Sequence, residues 1–344
     1  MNLLRVFKWS IAATVAALVA AALYDGVTGL ALVAVLIALE ASISFDNAVA
    51  NAAVLQRMSE FWQRLFLTVG VLIAVVGMRL VFPILIVSVA TGIGVPETID
   101  QAFTDKSEYA HNVEKAAPLI GGFGGAFLMM VALRFFLRPD PDTYWITPLE
   151  RALNAARRVP LLRILVTAAA VGITALLLES HERGDVLTGG AVGIVANVLV
   201  QGGAKLLSDR TSDGEATGAA GLALFVYLEM LDASFSLDGV LGAFAISTDL
   251  VVIALGLGVG ALYIRSLTVY MVRHGTLAEY QYLRHGAAWA ILALSIVLLA
   301  TAAGHVPEWI SGSIGIGTIA AAFVSSLVAN RRAAGGGGAH AEPS

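Results

Sequence analysis

Two short acidic stretches lie inside otherwise apolar segments of the chain. The first is Glu40–Asn47 (EASISFDN), and the second, 192 residues further on, is Asp232–Gly239 (DASFSLDG). They align without a gap, so that an acid, Ala, Ser, an apolar residue, Ser, an apolar residue and Asp recur in the same order. A carboxylate near the middle of a membrane-spanning helix costs about 2.5–3.5 kcal/mol. Two matching copies therefore indicate a duplicated unit whose acids have a function.

The acidic stretches supply hard oxygen ligands. Carboxylate, amide, hydroxyl and carbonyl oxygens suit Mn2+, Mg2+ or Ca2+, whereas copper and zinc prefer imidazole and thiolate. The ligands predicted from both copies are Asp46, Asn47 and Asp238 in direct contact with the ion, Glu40, Glu229 and Asp232 in the next layer or along the exit path, and Ser44 and Ser236 as hydroxyl donors.

The spacing within each copy limits how the acids can act. Six residues of ideal helix place the two acids of one copy about 120° apart and about 9 Å along the axis. The two acids of one copy therefore cannot share an ion unless the helix is broken or a neighbouring helix completes the site. The serines and Gly239 would tolerate a local unwinding that frees backbone carbonyls.

Two arginines, Arg79 and Arg265, each fall one span after an acidic stretch. They could balance the surplus negative charge around a divalent ion. Carboxylates crowded by like charges can also carry protons, so exchange of protons for metal follows as a hypothesis. The alternative is structural: Arg79 with Asp46 and Arg265 with Asp238 would form buried ion pairs that only fix helix packing.

His111 and His285 each precede the third core helix of a half and are candidate accessory ligands. The chain has no cysteine, which excludes disulfides and thiolate metal sites. No nucleophile–base set, open zinc site or phosphate-binding Gly-Lys-Ser/Thr loop can be assembled. An enzyme and direct ATP drive are therefore not expected.

The composition predicts the elements that hold these residues. Of 344 residues, 58% are hydrophobic and 13% charged, against roughly 25% charged in soluble domains. We therefore predict an all-α polytopic membrane protein. The apolar segments give ten spans, at roughly 7–23, 28–53, 65–90, 117–137, 161–178, 186–203, 217–245, 249–272, 286–303 and 309–329.

Charge placement predicts the orientation of these spans. With the N-terminus inside, sixteen Lys and Arg fall in inner segments and three in outer ones, so both termini are predicted to lie inside. The acidic stretches lie on the second and seventh spans, which must then run in opposite directions. Two inverted repeats of five helices follow, with a substrate site near the midplane between them. The predicted divisions are 1–160 (core 28–137 plus an inner linker), 161–330 (core 217–303) and a disordered tail at 331–344.

Three further segments have predicted roles. The Ala-rich first span is interpreted as a retained helix rather than a signal peptide. The acidic outer segment from Thr91 to Ala117 is predicted to be a solvated loop. The amphipathic piece Leu149–Arg158 is predicted to lie on the membrane surface.

With these residues placed, the chain resembles the TerC family of integral membrane proteins, most closely its branch called domain of unknown function 475. The matching signatures are Glu40…Ser44-x-Asp46-Asn47 and Glu229-x-x-Asp232-x-x-Phe235-x-x-Asp238. The resemblance covers about 30–302. The chain departs from the family pattern at Gly239, where Ser is common.

The resemblance implies membership of a superfamily of cation and amino-acid exporters, with relatives linked to manganese export, tellurite resistance, metal loading of secreted proteins and membrane-protein insertion. Together with the paired acids it favours a multi-pass transporter of the bacterial inner membrane. This transporter would export a divalent cation, most favourably Mn2+, by alternating access. The alternative cargoes are Ca2+, Mg2+ or a small cationic solute. The expected partners are the lipid bilayer and the cation, with no tightly bound cofactor and no nucleic acid, while a homo-oligomer or stress-resistance partner proteins stay open. The alternative is a membrane scaffold, assembly or tellurite-stress-resistance factor whose buried acids are structural.

Overall fold

The computed structural model describes residues 3–138, 143–159, 161–208, 216–304 and 306–336, and within them the regular structure is helical. A π-helix, Ile73–Val81, joins α3 to α4, and a 3-10 turn, Ala156–Arg158, follows α8. The α-helices are α1 (Leu3–Ile43), α2 (Phe45–Leu55), α3 (Glu60–Leu72), α4 (Phe82–Thr91), α5 (Val95–Thr104), α6 (Lys106–Lys115), α7 (Ala117–Phe136), α8 (Thr147–Ala155), α9 (Leu162–Leu177), α10 (Arg183–Ser208), α11 (Gly218–Ile246), α12 (Leu250–Arg273), α13 (Thr276–Glu279), α14 (Leu283–Ala303) and α15 (Glu308–Gly336).

Eight helices of the described residues are long and apolar enough to span a membrane, or nine if the bent pair Thr147–Arg158 and Leu162–Leu177 counts as one span. The prediction of an all-α polytopic membrane protein is thereby confirmed. With the bent pair counted as one span, the total of nine is one short of the ten predicted spans. The difference lies in α1, which covers the first predicted span and most of the second.

The chain reverses direction inside α1. Asp25 (φ −137°, ψ 24°) and Gly26 (φ 62°, ψ −144°) have non-helical backbone angles. A Cβ built on Gly29 would lie 2.8 Å from the carbonyl oxygen of Ala21. Eight residues of straight helix would separate these positions by about 12 Å. We therefore divide α1 into a first leg, residues 3–24, and a second leg, residues 27–43.

The first leg runs antiparallel to α12. Near its beginning, the Ser10 hydroxyl donates to the carbonyl of Leu262, well along α12, at 3.1 Å. At its far end, Tyr24 and Asp249 both accept a hydrogen bond from Lys106, and Asp249 is the N-cap of α12. The end of the first leg thus lies beside the beginning of α12.

The second leg runs parallel to α12. Leu36 packs against Gly256 and Glu40 packs against Gly260, so the second leg and α12 run in the same direction. Since the two legs have opposite directions along the same neighbour, α1 is a helical hairpin. Each of the ten predicted spans then corresponds to a described helical segment.

The connections between spans fall at two ends of the bundle. Lys106, from the segment between α4 and α7, meets Tyr24 and Asp249 at one end. At the other end, Met58 pairs with Ala216 through an isolated β-bridge. This distribution is what successive crossings of a bilayer require. Which end faces the cytoplasm stays a prediction.

Small residues let the central helices approach closely. A Cβ on Gly122 of α7 would lie 2.5 Å from the carbonyl oxygen of Val186 in α10, and one on Gly125 would lie 3.0 Å from that of Ser295 in α14. Membrane helices associate through such small-residue contacts because lipid provides no hydrophobic drive between them.

Two local predictions were wrong. The outer segment predicted as a loop forms α5 and α6, whose buried Thr98, Ala102 and Tyr109 give them an inner face. The predicted disordered tail begins too early, since α15 continues to Gly336. The rest of that tail lies outside the described residues.

The hairpin makes Gly26 a testable position. Its φ of 62° with ψ −144° suits glycine alone, so Gly26→Ala is expected to lower the free energy of unfolding by about 1–3 kcal/mol. Gly172→Ala is the matched control, because Gly172 is helical with no atom within 4 Å of an added Cβ. Alanine there should be neutral or stabilising. Thermal unfolding in detergent compares the two, and equal midpoints would contradict the hairpin geometry.

Candidate ion-binding site

The two acidic stretches cross each other in opposite directions. The Asn47 amide donates to Asp232 Oδ1 at 3.0 Å. A Cβ built on Gly239 would lie 2.9 Å from Glu40 Oε2. The segment Glu40–Asn47 therefore runs antiparallel to the segment Asp232–Gly239.

These two contacts are equivalent under the sequence repeat. Aligning the stretches places Glu40 on Asp232 and Asn47 on Gly239. Exchanging the copies therefore converts the Glu40–Gly239 contact into the Asp232–Asn47 contact. This is the relation that two inverted repeats produce at their axis.

Glu40 is paired with Arg79. The Arg79 Nη2 lies 2.8 Å from Glu40 Oε1, and both side chains are no more than 5% exposed. Arg79 also donates from Nη1 to the carbonyl of Ala74 at 2.9 Å. That carbonyl lies in the π-helix, and π-helical turns are frequent at functional sites. Gly260 of α12 packs directly on the Glu40 side chain, which closes this half of the site.

Arg265 holds the acids of the second copy. Its Nη2 lies 3.3 Å from Glu229 Oε2 and 3.2 Å from Asp232 Oδ2. Its Nη1 donates to the Phe66 carbonyl at 2.6 Å, and the guanidinium lies 4.0 Å from the centre of the Phe66 ring. Gly70 packs against this pair, since a Cβ there would lie 2.5 Å from Arg265 Nη1 and would also contact Glu229.

The described ion pairs of the two arginines are with acids that the structural alternative did not name. Arg79 pairs with Glu40, and Arg265 pairs with Glu229 and Asp232. The predicted pair of Arg265 with Asp238 lies outside the described residues. Glu40 and Asp232, assigned from sequence to a more distant layer, lie at the crossing itself.

Of the three ligands predicted in direct contact with an ion, Asp46 and Asn47 are described and buried. The Asn47 backbone N–H donates to Asp46 Oδ1 at 2.9 Å. Gly315 of α15 faces this carboxylate, with its Cβ position 3.1 Å from Asp46 Oδ2. Asp238 belongs to α11, but its side chain lies outside the described residues.

The helix is interrupted in one copy only. Ser44 (φ −84°, ψ 23°) separates α1 from α2, but its N–H still donates to the Glu40 carbonyl at 3.1 Å and its carbonyl accepts from the Ala48 N–H at 3.4 Å. In the second copy α11 continues through Ser236 without a break. The first stretch thus has a short break in its regular helix, while the second contributes side chains from an intact helix.

Several buried oxygens in the described part of the crossing have no hydrogen-bond partner: Asn47 Oδ1, Asn51 Oδ1 and Ser236 Oγ. Leaving such an acceptor unsatisfied costs about 1–3 kcal/mol. Asn51 also donates to Asp232 Oδ1, at 3.4 Å, and sequence analysis missed it. Its position four residues after Asn47, on the same helix face, was the available signal. These oxygens are spare ligands of the type that a hard cation prefers.

The described residues contain no group of three or more His, Asp or Glu arranged to hold a metal ion. In this arrangement the guanidinium groups of Arg79 and Arg265 occupy Glu40, Glu229 and Asp232 instead. Three of the predicted carboxylate ligands are thus bound to arginine in the described arrangement.

The two candidate histidines lie elsewhere. His111 is exposed on α6, with Glu114 at 3.8 Å. His285 is buried and its Nδ1 lies 2.9 Å from Glu150 Oε2. Their described contacts give neither of them a place among the acids of the crossing.

Glu150 is a buried acid that sequence analysis placed on a surface helix. It accepts hydrogen bonds from the Trp145 backbone N–H and from Trp289 Nε1, each at 2.9 Å, beside its contact with His285. It therefore fastens α8 to α14. The sequence feature that could have predicted this burial is a polar face of α8, because Asn154 follows Glu150 by one turn and is also buried.

Another group of polar side chains lies at the end of the bundle opposite to the Met58–Ala216 bridge. Lys106 donates to Asp249 at 2.5 Å and to the Tyr24 hydroxyl at 3.3 Å. The hydrogen bond to Asp249 raises the pKa of Lys106, so the pair stays charged across the physiological range. It joins the segment between α4 and α7 to the hairpin and to α12.

The membrane-spanning helices and the buried polar centre define the class of this molecule: an all-α polytopic membrane protein. Residues 45–333 match the family model described as "Protein of unknown function (DUF475)". That match covers most of the chain, which therefore belongs to this family. No curated protein and no solved structure matches it.

The contact of Gly70 with the second ion pair is testable. In Gly70→Ala the new methyl group would displace Glu229 or Arg265, and such overpacking typically lowers the free energy of unfolding by about 1–3 kcal/mol. Gly77→Ala is the control from the same span, because its Cβ would meet only Ile73, at 3.6 Å. Unfolding midpoints in detergent measure both variants. An equally small change in the two would show that Gly70 does not support the pair.

Proposed function

We propose that the protein is a secondary transporter of the bacterial inner membrane that exports a divalent cation, most favourably Mn2+, by alternating access. The observation that carries the proposal is the antiparallel crossing of two copies of one acidic stretch, with Asn47 bonded to Asp232 and Glu40 against Gly239. Transporters built from inverted repeats bind their substrate between the repeats.

The charge at the crossing supports a cationic cargo. Glu40, Glu229 and Asp232 are buried there. The guanidinium groups of Arg79 and Arg265 pair with these three carboxylates, which leaves one formal negative charge of the three unmatched. Burying an uncompensated charge costs several kcal/mol. A divalent cation, or protons in its absence, would remove that cost.

The arginines have a defined part in this proposal. In the described arrangement Arg79 and Arg265 stand where a cation would otherwise bind the carboxylates of Glu40 and Asp232. The incoming ion must displace them, so binding and rearrangement of α12 and the π-helix are coupled. Since a ligand shifts a conformational equilibrium only through its differential affinity, this exchange is the source of that difference.

The oxygen ligands at the crossing favour a hard divalent cation. Amide, carboxylate and hydroxyl oxygens at the crossing suit Mn2+, Mg2+ or Ca2+. The resemblance of the acidic stretches to the TerC family, whose relatives are linked to manganese export, favours Mn2+ among them. The partner set is the lipid bilayer and the transported ion.

Transport assays with purified protein in liposomes test the proposal. Asp46→Asn and Asp232→Asn each remove one charge and keep the shape, and we expect Mn2+ flux to fall at least about tenfold, the loss that 1.4 kcal/mol of ion affinity produces. Glu60→Gln is the control, because Glu60 is 82% exposed and its ion pair among the described residues is with its neighbour Arg64. Competition with Ca2+ and Mg2+ in the same assay identifies the preferred ion.

A second candidate function is a membrane scaffold, assembly or stress-resistance factor. The direct pairing of Arg79 with Glu40 and of Arg265 with Asp232 favours it, since both pairs could simply fix helix packing. Wild-type flux in well-folded Asp46→Asn and Asp232→Asn proteins would support this function and refute transport through the crossing.

Coupling to protons is a separate prediction. Displaced carboxylates must release or accept protons if charge at the crossing is to stay balanced. Efflux of Mn2+ from energised vesicles should therefore slow when a protonophore collapses the pH gradient while the membrane potential is clamped. A lipophilic anion that leaves the pH gradient intact is the control. An unchanged rate would contradict proton exchange without affecting the proposed cargo.

A further inference from the structure

The helix α5 exposes a stripe of apolar side chains. Val95, Ile99 and Phe103 follow one another at intervals of about one turn and are 39%, 42% and 52% exposed. Since an α-helix turns by about 100° per residue, these three side chains lie within a sector of about 80°. The acids Glu97 and Asp100, which are also exposed, lie about 100–160° away from Ile99 around the helix. In addition to the face that packs on the protein, α5 therefore has an apolar stripe and an acidic side.

The depth of α5 in the bilayer follows from the span that precedes it. The segment 65–91 contains Arg79 as its one charged residue, and Arg79 is buried. At 1.5 Å per residue this segment extends about 40 Å, close to the thickness of a bilayer with its headgroups. Thr91, the last residue of α4, therefore lies near the headgroups.

A tight turn holds the beginning of α5 at the end of α4. Gly92, the C-cap of α4, has a φ of 71°, and three residues separate the two helices. The Ser88 hydroxyl, in the last turn of α4, donates to the Ile93 carbonyl at 2.6 Å, so the turn folds back towards that helix. The two helices also pack against each other. α5 therefore begins near the level of the last turn of α4.

Lipid-facing surface reaches this level on α4. Leu85 and Val89, one turn apart, are 42% and 75% exposed. In a membrane-spanning helix such side chains face the acyl chains, which are as apolar as leucine. Since Val89 lies in the last turn of α4, lipid-facing surface continues up to the turn that leads into α5.

A second copy of the chain would need more surface than the apolar stripe offers. A stable protein–protein interface buries about 800 Å2 on each partner, whereas one whole aromatic side chain buries about 150–250 Å2. Three side chains that are about half exposed thus supply less than half of such an interface. Lipid covers a stripe of this size without requiring a matching protein surface.

We propose that α5 lies in the interface between lipid headgroups and acyl chains, with Val95, Ile99 and Phe103 against lipid and Glu97 and Asp100 in water. Amphipathic helices of low overall hydrophobicity bind at this level by burying their apolar side by about 5–10 Å. The segment 95–104 has no Lys or Arg, so apolar contact rather than attraction to anionic headgroups holds it there. The proposal does not depend on transport.

Lys106 connects this interfacial helix to the rest of the fold. It follows the end of α5 by two residues and donates to Asp249, the N-cap of α12, and to the Tyr24 hydroxyl at the end of the first leg. An α5 that is embedded in the interface therefore holds the beginning of α12 and the end of the first leg at a fixed depth in the bilayer.

Site-directed spin labelling of the full chain in phosphatidylcholine liposomes tests this proposal. The chain has no native cysteine, so one introduced cysteine labels one chosen site. Labels on Ile99→Cys and Phe103→Cys are expected to collide with oxygen, which concentrates among acyl chains, and to be shielded from a water-soluble nickel chelate. The label at Ile99 should lie about 5–10 Å below the headgroup level. Asp100→Cys is the matched control from the same helix and should show the opposite preference.

Two results would overturn the proposal. Nickel accessibility at Ile99 and Phe103 equal to that at Asp100 would place the apolar stripe in water. Exclusion of both oxygen and nickel from Ile99 and Phe103 would show that protein, such as a second copy of the chain, covers the stripe instead of lipid.

A second pair of variants tests what holds the helix at this depth. With the label at Ile99, Phe103→Gln should increase nickel accessibility, because it removes the largest apolar side chain of the stripe. Glu97→Gln is the control, since it changes a charge on the acidic side, and it should leave the accessibility at Ile99 unchanged. An equal response to Phe103→Gln and Glu97→Gln would refute apolar anchoring.

Discussion

The buried carboxylates at the crossing of the two acidic stretches set the main constraint on this fold. A charge placed away from water needs an opposite charge and hydrogen-bond donors, and each neighbouring element supplies part of them. Arg79 comes from a π-helical turn, Arg265 from α12, and the amides of Asn47 and Asn51 from α2. Glycines at the surrounding positions give the helices the close approach that these bonds require. The packing of the centre is thus arranged around its charges.

The two halves of the crossing are related but not equal. Asp232 is held by two amides and one guanidinium, whereas Glu40 is held by the Arg79 guanidinium and faces Gly239, which has no side chain to donate a hydrogen bond. The helix is broken beside Glu40 at Ser44 and continuous beside Asp232. The two copies of the acidic stretch therefore differ both in the donors around the carboxylate and in the regularity of the helix.

Sequence alone predicted the helical spans and the pairing of the two stretches, because apolar runs and repeated acids are local features. It also predicted the opposite directions of the stretches from the number of spans between them. The partners of Arg79 and Arg265 could not be predicted, since they depend on where two helices cross and not on any periodicity. The buried position of Glu150 was missed for a related reason: its neighbours on α14 are 135 and 139 residues away.

The N-terminal hairpin has a mechanical consequence. Its two legs lie along α12, joined to it by the Ser10–Leu262 hydrogen bond midway along that helix and by the Tyr24–Lys106–Asp249 group at its beginning. The second leg carries Glu40, and α12 carries Arg265. If α12 tilts, the amino-terminal hairpin must therefore move together with it. A fluorescent label near the first residues would report the swing of a helix that begins some 250 positions later in the chain.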